Sequence, residues 1–189
     1  MLAAAKLLLA AGAAALVAAG VALAPRMHSS DAQPKPLTSR GNPVQDPLNV
    51  TFTPLTKPKT AWKGQVSDEA YAVLFEEATE RAGTCALLHE KREGTFLCAA
   101  CYLPLFINRT KFESGTGWPS FNEPIPGRLG FKTDYKIGYP RTEYHCARCG
   151  GHQGHVFDDG PAPTGQRYCN NGVALRFIPK GEALPALRD

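Results

Sequence analysis

Apolar and polar positions divide the chain into three regimes. From Leu7 to Ala24 the residues are apolar almost without interruption, and Lys6 is the one charge before Arg26. A positive start followed by such a run predicts a secretory signal peptide or a retained N-terminal membrane anchor over 1–24. From Pro25 to about Thr60 no period appears, and Pro34, Pro36, Pro43, Pro47, Pro54 and Pro58 punctuate the stretch. That composition predicts a flexible Pro-rich linker over 25–60. Beyond it the pattern becomes regular. Ser67 is placed to cap a helix whose apolar face is Tyr71, Leu74, Phe75 and Ala78, with Gly83 as its end. Short strand-like stretches follow at Thr95–Leu97, Leu105–Ile107, Glu143–His145 and Val173–Ile178, where Leu175 and Phe177 alternate with Arg176. The expected fold is mainly β, with two small antiparallel sheets around a core and short N-terminal helices. It occupies 61–180, with 181–189 as a C-terminal tail.

Composition narrows this reading only a little. Hydrophobic residues make up 43% and charged residues 20%, enough to bury a core. The net charge of +4 carries no long basic run and no basic–aromatic interleaving, so the expectation is no nucleic-acid partner.

The cysteines change the picture more. Cys98 and Cys101 form one CxxC pair, and Cys146 and Cys149 form a second. Two thiolates at this spacing on a tight turn can bind one metal ion, and two such knuckles complete a tetrahedron. Gly150 and Gly151 let the backbone turn closely after the second pair. Four thiolates leave no open position for water, so the ion would be structural. Disulfides or a redox CxxC are the alternative in an oxidising compartment. A redox CxxC opens a helix, however, and neither pair is followed by a helical pattern. The stretch between the knuckles is longer than in a common zinc ribbon, which points to inserted chemistry.

That insertion and the segments after it hold the remaining reactive residues. They read Ser114-Gly115-Thr116-Gly117-Trp118-Pro119-Ser120-Phe121, then Gly151-His152-Gln153-Gly154-His155-Val156-Phe157, then Gly160 through Gln166-Arg167-Tyr168-Cys169-Asn170-Asn171. With both CxxC pairs and the closing Leu175-Arg176-Phe177, and all in order from about Trp62 to Pro179, they closely resemble the B-type peptide-methionine (R)-S-oxide reductases. The resemblance implies one structural zinc ion held by Cys98, Cys101, Cys146 and Cys149. It implies Cys169 as the nucleophile on the sulfoxide sulfur, activated by Arg167, with His155 supplying protons to the departing oxygen. His152 and Asn171 would hold that oxygen or a bridging water, and Asp159 would orient a histidine. Trp118, with Phe157 and Asn171, would bind substrate, the indole walling the S-methyl group and so selecting one epimer.

Turnover leaves a sulfenic acid on Cys169 that a second thiol must resolve. Many relatives carry a cysteine where this chain has Thr116, so that route is closed. Cys85 is the one cysteine left over and is the expected resolving thiol, a buried inert thiol being the alternative, with a thioredoxin-like donor reducing the resulting disulfide. The N-terminal run adds the expectation of export to a bacterial periplasm, with anchoring through residues 7–24 an alternative to cleavage and a mitochondrial location a further one. The rival function is a zinc-stapled, non-catalytic protein-binding module of the same fold. It would need the four metal cysteines but not Cys169, Trp118, His152 and His155 together. A zinc ribbon for nucleic acid is disfavoured by the modest charge.

Overall fold

In the computed structural model residues 45–189 are described. The expected signal or anchor, and the linker up to residue 44, lie outside them. Within the described residues nine strands form two antiparallel sheets. A three-stranded sheet has the order β2 (Pro104–Ile107), β1 (Gly94–Cys98), β9 (Leu175–Pro179). A six-stranded sheet has the order β3 (Lys111–Phe112), β4 (Ser120–Phe121), β8 (Arg167–Asn170), β7 (His152–Phe157), β6 (Arg141–Cys146), β5 (Leu129–Asp134). The mainly β fold with two small sheets is therefore as expected.

Strand alternation divides the six-stranded sheet into an apolar face and a reactive face. Phe121, Tyr168 and Tyr144 point one way and are buried. They meet Phe96 and Phe106 of the smaller sheet. Phe106 stacks on Phe121 with ring centroids 4.1 Å apart, and Phe96 meets Phe121 edge-on at 4.9 Å. This aromatic packing is the core between the sheets. The alternate residues Ser120, Cys169, His155 and Glu143 pair across the sheet in register and share the opposite face.

Among the described residues one α-helix, α1 (Asp68–Glu76), packs outside the sheets. Ser67 caps it as predicted, its Oγ accepting from Ala70 N–H at 3.2 Å. The helix stops before Gly83, however. Glu77 adopts the left-handed conformation (φ 56°) and closes it, so Ala78 lies beyond its end. Ala78 N–H donates to Ala72 O at 3.0 Å across that turn, and the Glu77 carboxylate meets Lys132 Nζ at 2.7 Å and Lys136 Nζ at 2.6 Å, partners that local pattern does not carry. The predicted strand from Val173 likewise begins only at Leu175, because Gly172–Ala174 forms a 3₁₀ turn.

Both ends of the described chain lie against the domain. Phe52 and Leu55, inside the expected linker, pack on the core, and Leu55 N–H donates to Arg148 O at 2.7 Å. In the expected tail, Arg188 donates to Ala99 O at 2.7 Å, Ala100 O at 2.6 Å and Gln65 O at 2.8 Å. Asp189 pairs with Arg148. Leu55 and the Arg188–Asp189 pair therefore brace the two CxxC turns. Among the described residues no helix is long and apolar enough to cross a membrane.

Candidate active site and metal centre

The two CxxC turns are built alike. Tyr102 N–H donates to Cys98 O at 3.0 Å, and Gly150 N–H to Cys146 O at 2.9 Å. The residue after each second cysteine is left-handed, Tyr102 at φ 62° and Gly150 at φ 72°. The four sulfurs lie within 4.8 Å of one another, with Cys98 Sγ to Cys149 Sγ at 3.6 Å and Cys101 Sγ to Cys146 Sγ at 3.5 Å. Tetrahedral thiolates about 2.3 Å from one ion would sit about 3.8 Å apart, so the donor set fits one metal ion. None of the four is in a disulfide. From the centre a buried chain of contacts runs to the middle of the large sheet. Gln153 Nε2 approaches Cys98 Sγ at 3.6 Å, Asn170 Nδ2 donates to Gln153 Oε1 at 3.3 Å, and Tyr144 Oη donates to Asn170 Oδ1 at 2.8 Å.

Cys169 precedes Asn170 on β8 and faces the other way. A cavity of about 220 Å³ opens over it, lined by Cys169, His155, Trp118, Phe157, Asn171 and Arg141 among others. A larger cavity, about 470 Å³, lies at the smaller sheet around Gly94, Ile107 and Ile178, away from Cys169. Four residues predicted for one site thus converge on Cys169. The β7–β8 approach that brings His155 opposite Cys169 requires glycine at 154. A Cβ there would lie 1.8 Å from Cys169 O.

Burial pushes the Cys169 thiol above its ordinary value of 9.0. Arg167, two residues away on the same face of β8, pulls it back, as does the Thr116 hydroxyl. Arg167 is itself held by Asp159, through Nε at 2.7 Å and Nη2 at 3.0 Å, and lies over the Phe157 ring at 4.3 Å.

This corrects the expected role of Asp159. It lies past the end of β7, where the Phe157–Arg167 register brings it to the arginine and not to a histidine. The carboxylate on His155 is Asp134, whose Oδ2 lies 2.7 Å from His155 Nε2 and 2.6 Å from Arg141 Nη2. The Lys136 N–H, with His155 and Arg141, holds Asp134 well below the usual carboxylate range. Sequence reading missed Asp134, because only pairing of β5 with β6 and β6 with β7 carries it to the histidine.

His152 is buried beside Glu143, with Nδ1 and Oε1 3.1 Å apart. That spacing suits an ion pair, but the ring nitrogen is off the hydrogen-bonding direction and finds no acceptor. Burial pushes His152 below its ordinary value of 6.5, with Glu143 opposing. Its ring packs edge-on to His155 at 5.5 Å but does not line the cavity. Asn171 lines the cavity yet commits both ends of its amide. Oδ1 accepts from Glu80 N–H at 3.0 Å and Nδ2 donates to Gln153 O at 3.0 Å.

Cys85 lies off the cavity. Its sulfur packs on Gly172, where a Cβ would meet Cys85 Sγ at 1.9 Å. Burial raises its thiol, and the nearby Glu80 adds to this. Glu80, unmarked in the sequence, is the clamp of this region. Its carboxylate accepts from Gly172 N–H at 2.6 Å and Val173 N–H at 2.9 Å, and its carbonyl accepts from Trp118 Nε1–H at 3.2 Å.

Residues 66–179 match the SelR domain family. A peptide methionine sulfoxide reductase MsrB of Agrobacterium fabrum is 46% identical over 132 residues, covering 69% of this chain and 98% of that protein. One from Leptospira interrogans is 49% identical over 117 residues, 61% of this chain and 89% of its own length. The chloroplastic peptide methionine sulfoxide reductase B1 of Arabidopsis thaliana is 42% identical over 164 residues, 86% and 76% respectively.

Proposed function

The chain belongs to the MsrB family of peptide-methionine (R)-S-oxide reductases, and from that premise we propose how its own residues carry out the reduction. The observation that carries the reading is Cys169 set opposite His155 beneath a cavity walled by Trp118 and Phe157. The sulfoxide methyl lies against the Trp118 indole and the oxygen faces His155. Exchanging the two would press oxygen on carbon and leave the polar side unpaired, which selects one epimer. The Cys169 sulfur attacks the sulfoxide sulfur, with Arg167 and Thr116 favouring its thiolate. His155, steadied by Asp134, supplies a proton to the oxygen. The sulfur–oxygen bond of the substrate breaks and the oxygen ends on Cys169 as a sulfenic acid. Methionine sulfur gains two electrons and Cys169 sulfur loses two.

Cys85 then attacks the sulfenic sulfur, a disulfide forms and water leaves. Gly172, where Cys85 rests, is three residues from Cys169, at most about 10 Å along extended chain. A disulfide needs Cα atoms about 5.5 Å apart, so the segment around Gly83 swings in this step. A thioredoxin-like dithiol restores both thiols by exchange. Cys98, Cys101, Cys146 and Cys149 hold a zinc ion that ties the knuckles together and takes no part in the chemistry. The N-terminal apolar run supports an exported compartment, reached by cleavage or anchoring, and there the donor is an exported thiol protein.

Separate R and S epimers of a methionine sulfoxide peptide, each offered with thioredoxin or dithiothreitol, test this. Only the R form should yield methionine, and Cys169→Ser should abolish it. Cys85→Ser should release one methionine per enzyme and stall with thioredoxin. Comparable residual activity in Cys169→Ser refutes its role, and full thioredoxin turnover in Cys85→Ser removes Cys85 from the mechanism.

A further inference from the structure

The tip of the β5–β6 hairpin has no part in the steps above. Asp134 ends β5 and Arg141 begins β6, paired in register, with Arg141 lining the cavity and Asp134 on His155. Between them runs Tyr135-Lys136-Ile137-Gly138-Tyr139-Pro140. Tyr135, Ile137 and Tyr139 are 68%, 50% and 58% exposed. Among the described residues they are three of the five exposed large hydrophobic side chains, the others being Leu48 and Phe131. Phe131 belongs to the opposite face of β5 and is not counted with them. A single exposed apolar residue is ordinary, but a cluster pinned at both ends to a catalytic cavity marks an interaction surface.

The loop has a defined shape. Gly138 N–H donates to Tyr135 O at 3.0 Å, and Lys136 N–H donates to Asp134 Oδ1 at 2.8 Å. Its charges are already spent. Lys136 pairs with Glu77, Lys132 with Glu77 and Glu143, and Arg141 with Asp134. What the tip offers a partner is therefore aromatic and aliphatic surface, and Tyr is favoured at such interfaces because it combines an apolar ring with a polar end.

We infer that this tip docks apolar residues flanking the methionine sulfoxide in a polypeptide substrate. The inference rests on the proposed function. Every tip residue lies within three positions of Asp134 or Arg141, or about 10 Å of chain. An extended substrate places residues two to four positions from its sulfoxide about 7–14 Å away, the same reach.

The test uses the full chain with dithiothreitol and three (R)-S-oxide substrates: N-acetylmethionine sulfoxide amide, a heptapeptide with Leu and Phe flanks, and one with Ser and Gly flanks. The wild type should favour the apolar-flanked peptide over the polar one about tenfold in kcat/KM, mostly through KM. In Tyr135→Ser/Ile137→Ser/Tyr139→Ser that ratio should fall to about one, and in Ile137→Ser alone it should fall part of the way. A wild type without preference, or variants that keep the ratio, overturn the inference even where all rates fall together. A wild type that reduces the amide but shows no flank preference sinks the docking surface alone. One that reduces none of the three sinks the proposed function, and the inference with it.

Discussion

Removing the Glu80 carboxylate should loosen the turn that follows β8 and release Cys85. Glu80 is only 4% exposed, and its two carboxylate oxygens take the N–H groups of Gly172 and Val173. Glu80→Ala leaves both donors without a partner in a site that is buried at Gly172. An unmet buried donor costs about 1–3 kcal/mol, and the half-buried Val173 N–H costs less than that, so the loss is about 2–4 kcal/mol. Burial of the carboxylate offsets part of this, since it pushes Glu80 above its ordinary value of 4.5. Glu80→Gln keeps one acceptor and sets an amide N–H₂ against the second donor, for about half the effect. Urea unfolding of the metal-loaded protein measures the stability term. Cys85 alkylation measures the local one, since its sulfur packs on Gly172, and should quicken about tenfold in Glu80→Ala. Reduction of the R epimer should fall with it, because Asn171 and Trp118 both hydrogen-bond to the Glu80 backbone. The pH signature is specific. Between 4.5 and the raised native value the folded state holds the extra proton, so this group's contribution falls as pH rises through that window. Glu80→Gln should remove that slope. Wild-type stability and unchanged Cys85 labelling in Glu80→Ala would refute the clamp.

Two further outcomes concern the sulfurs. In a Cys85→Ser background, alkylation of Cys169 should climb as pH rises toward its burial-raised value, and Arg167→Met should move the climb upward and slow labelling near neutrality about tenfold; identical profiles would remove Arg167 as the activator. Cys98→Ser, or prolonged chelation, should release the metal and abolish cooperative unfolding, because structural zinc contributes about 10–16 kcal/mol, comparable with the stability of a whole domain. Metal content and a thermal scan read this out, and a metal-free variant that stays folded and active contradicts the structural staple.

Much of the architecture was legible because it is written in local pattern. The Ser67 cap, the short apolar strands and the CxxC spacing each depend on residues a few positions apart. The helix end was misread for the opposite reason. Glu77 closes α1 in the left-handed conformation, with its carboxylate on Lys132 and Lys136, far along the chain. The active-site partners follow the same division. Cys169, His155 and Trp118 stand out by residue type in distinctive motifs, whereas Asp134, Glu143 and Glu80 are ordinary acids in ordinary contexts. Register across β5, β6 and β7 turns the first two into histidine partners, and Glu80 becomes a clamp only because its loop folds over Gly172. Asp159 was assigned to a histidine by its nearness in sequence, and strand pairing gave it to Arg167 instead.

The sequence by itself determined which atoms are reactive: four thiols spaced to share an ion, one thiol beside an arginine, two imidazoles and an indole. Thiol and imidazole chemistry belongs to the residue, and short-range spacing survives any reasonable fold. Only the tertiary structure decided which sulfur sits under a cavity and which beneath a clamp, which carboxylate touches which ring, and that apolar side chains crown the hairpin beside the site. Those outcomes depend on cross-strand register, and a slip of one residue would send Cys169 to the core face and Tyr168 to the cavity.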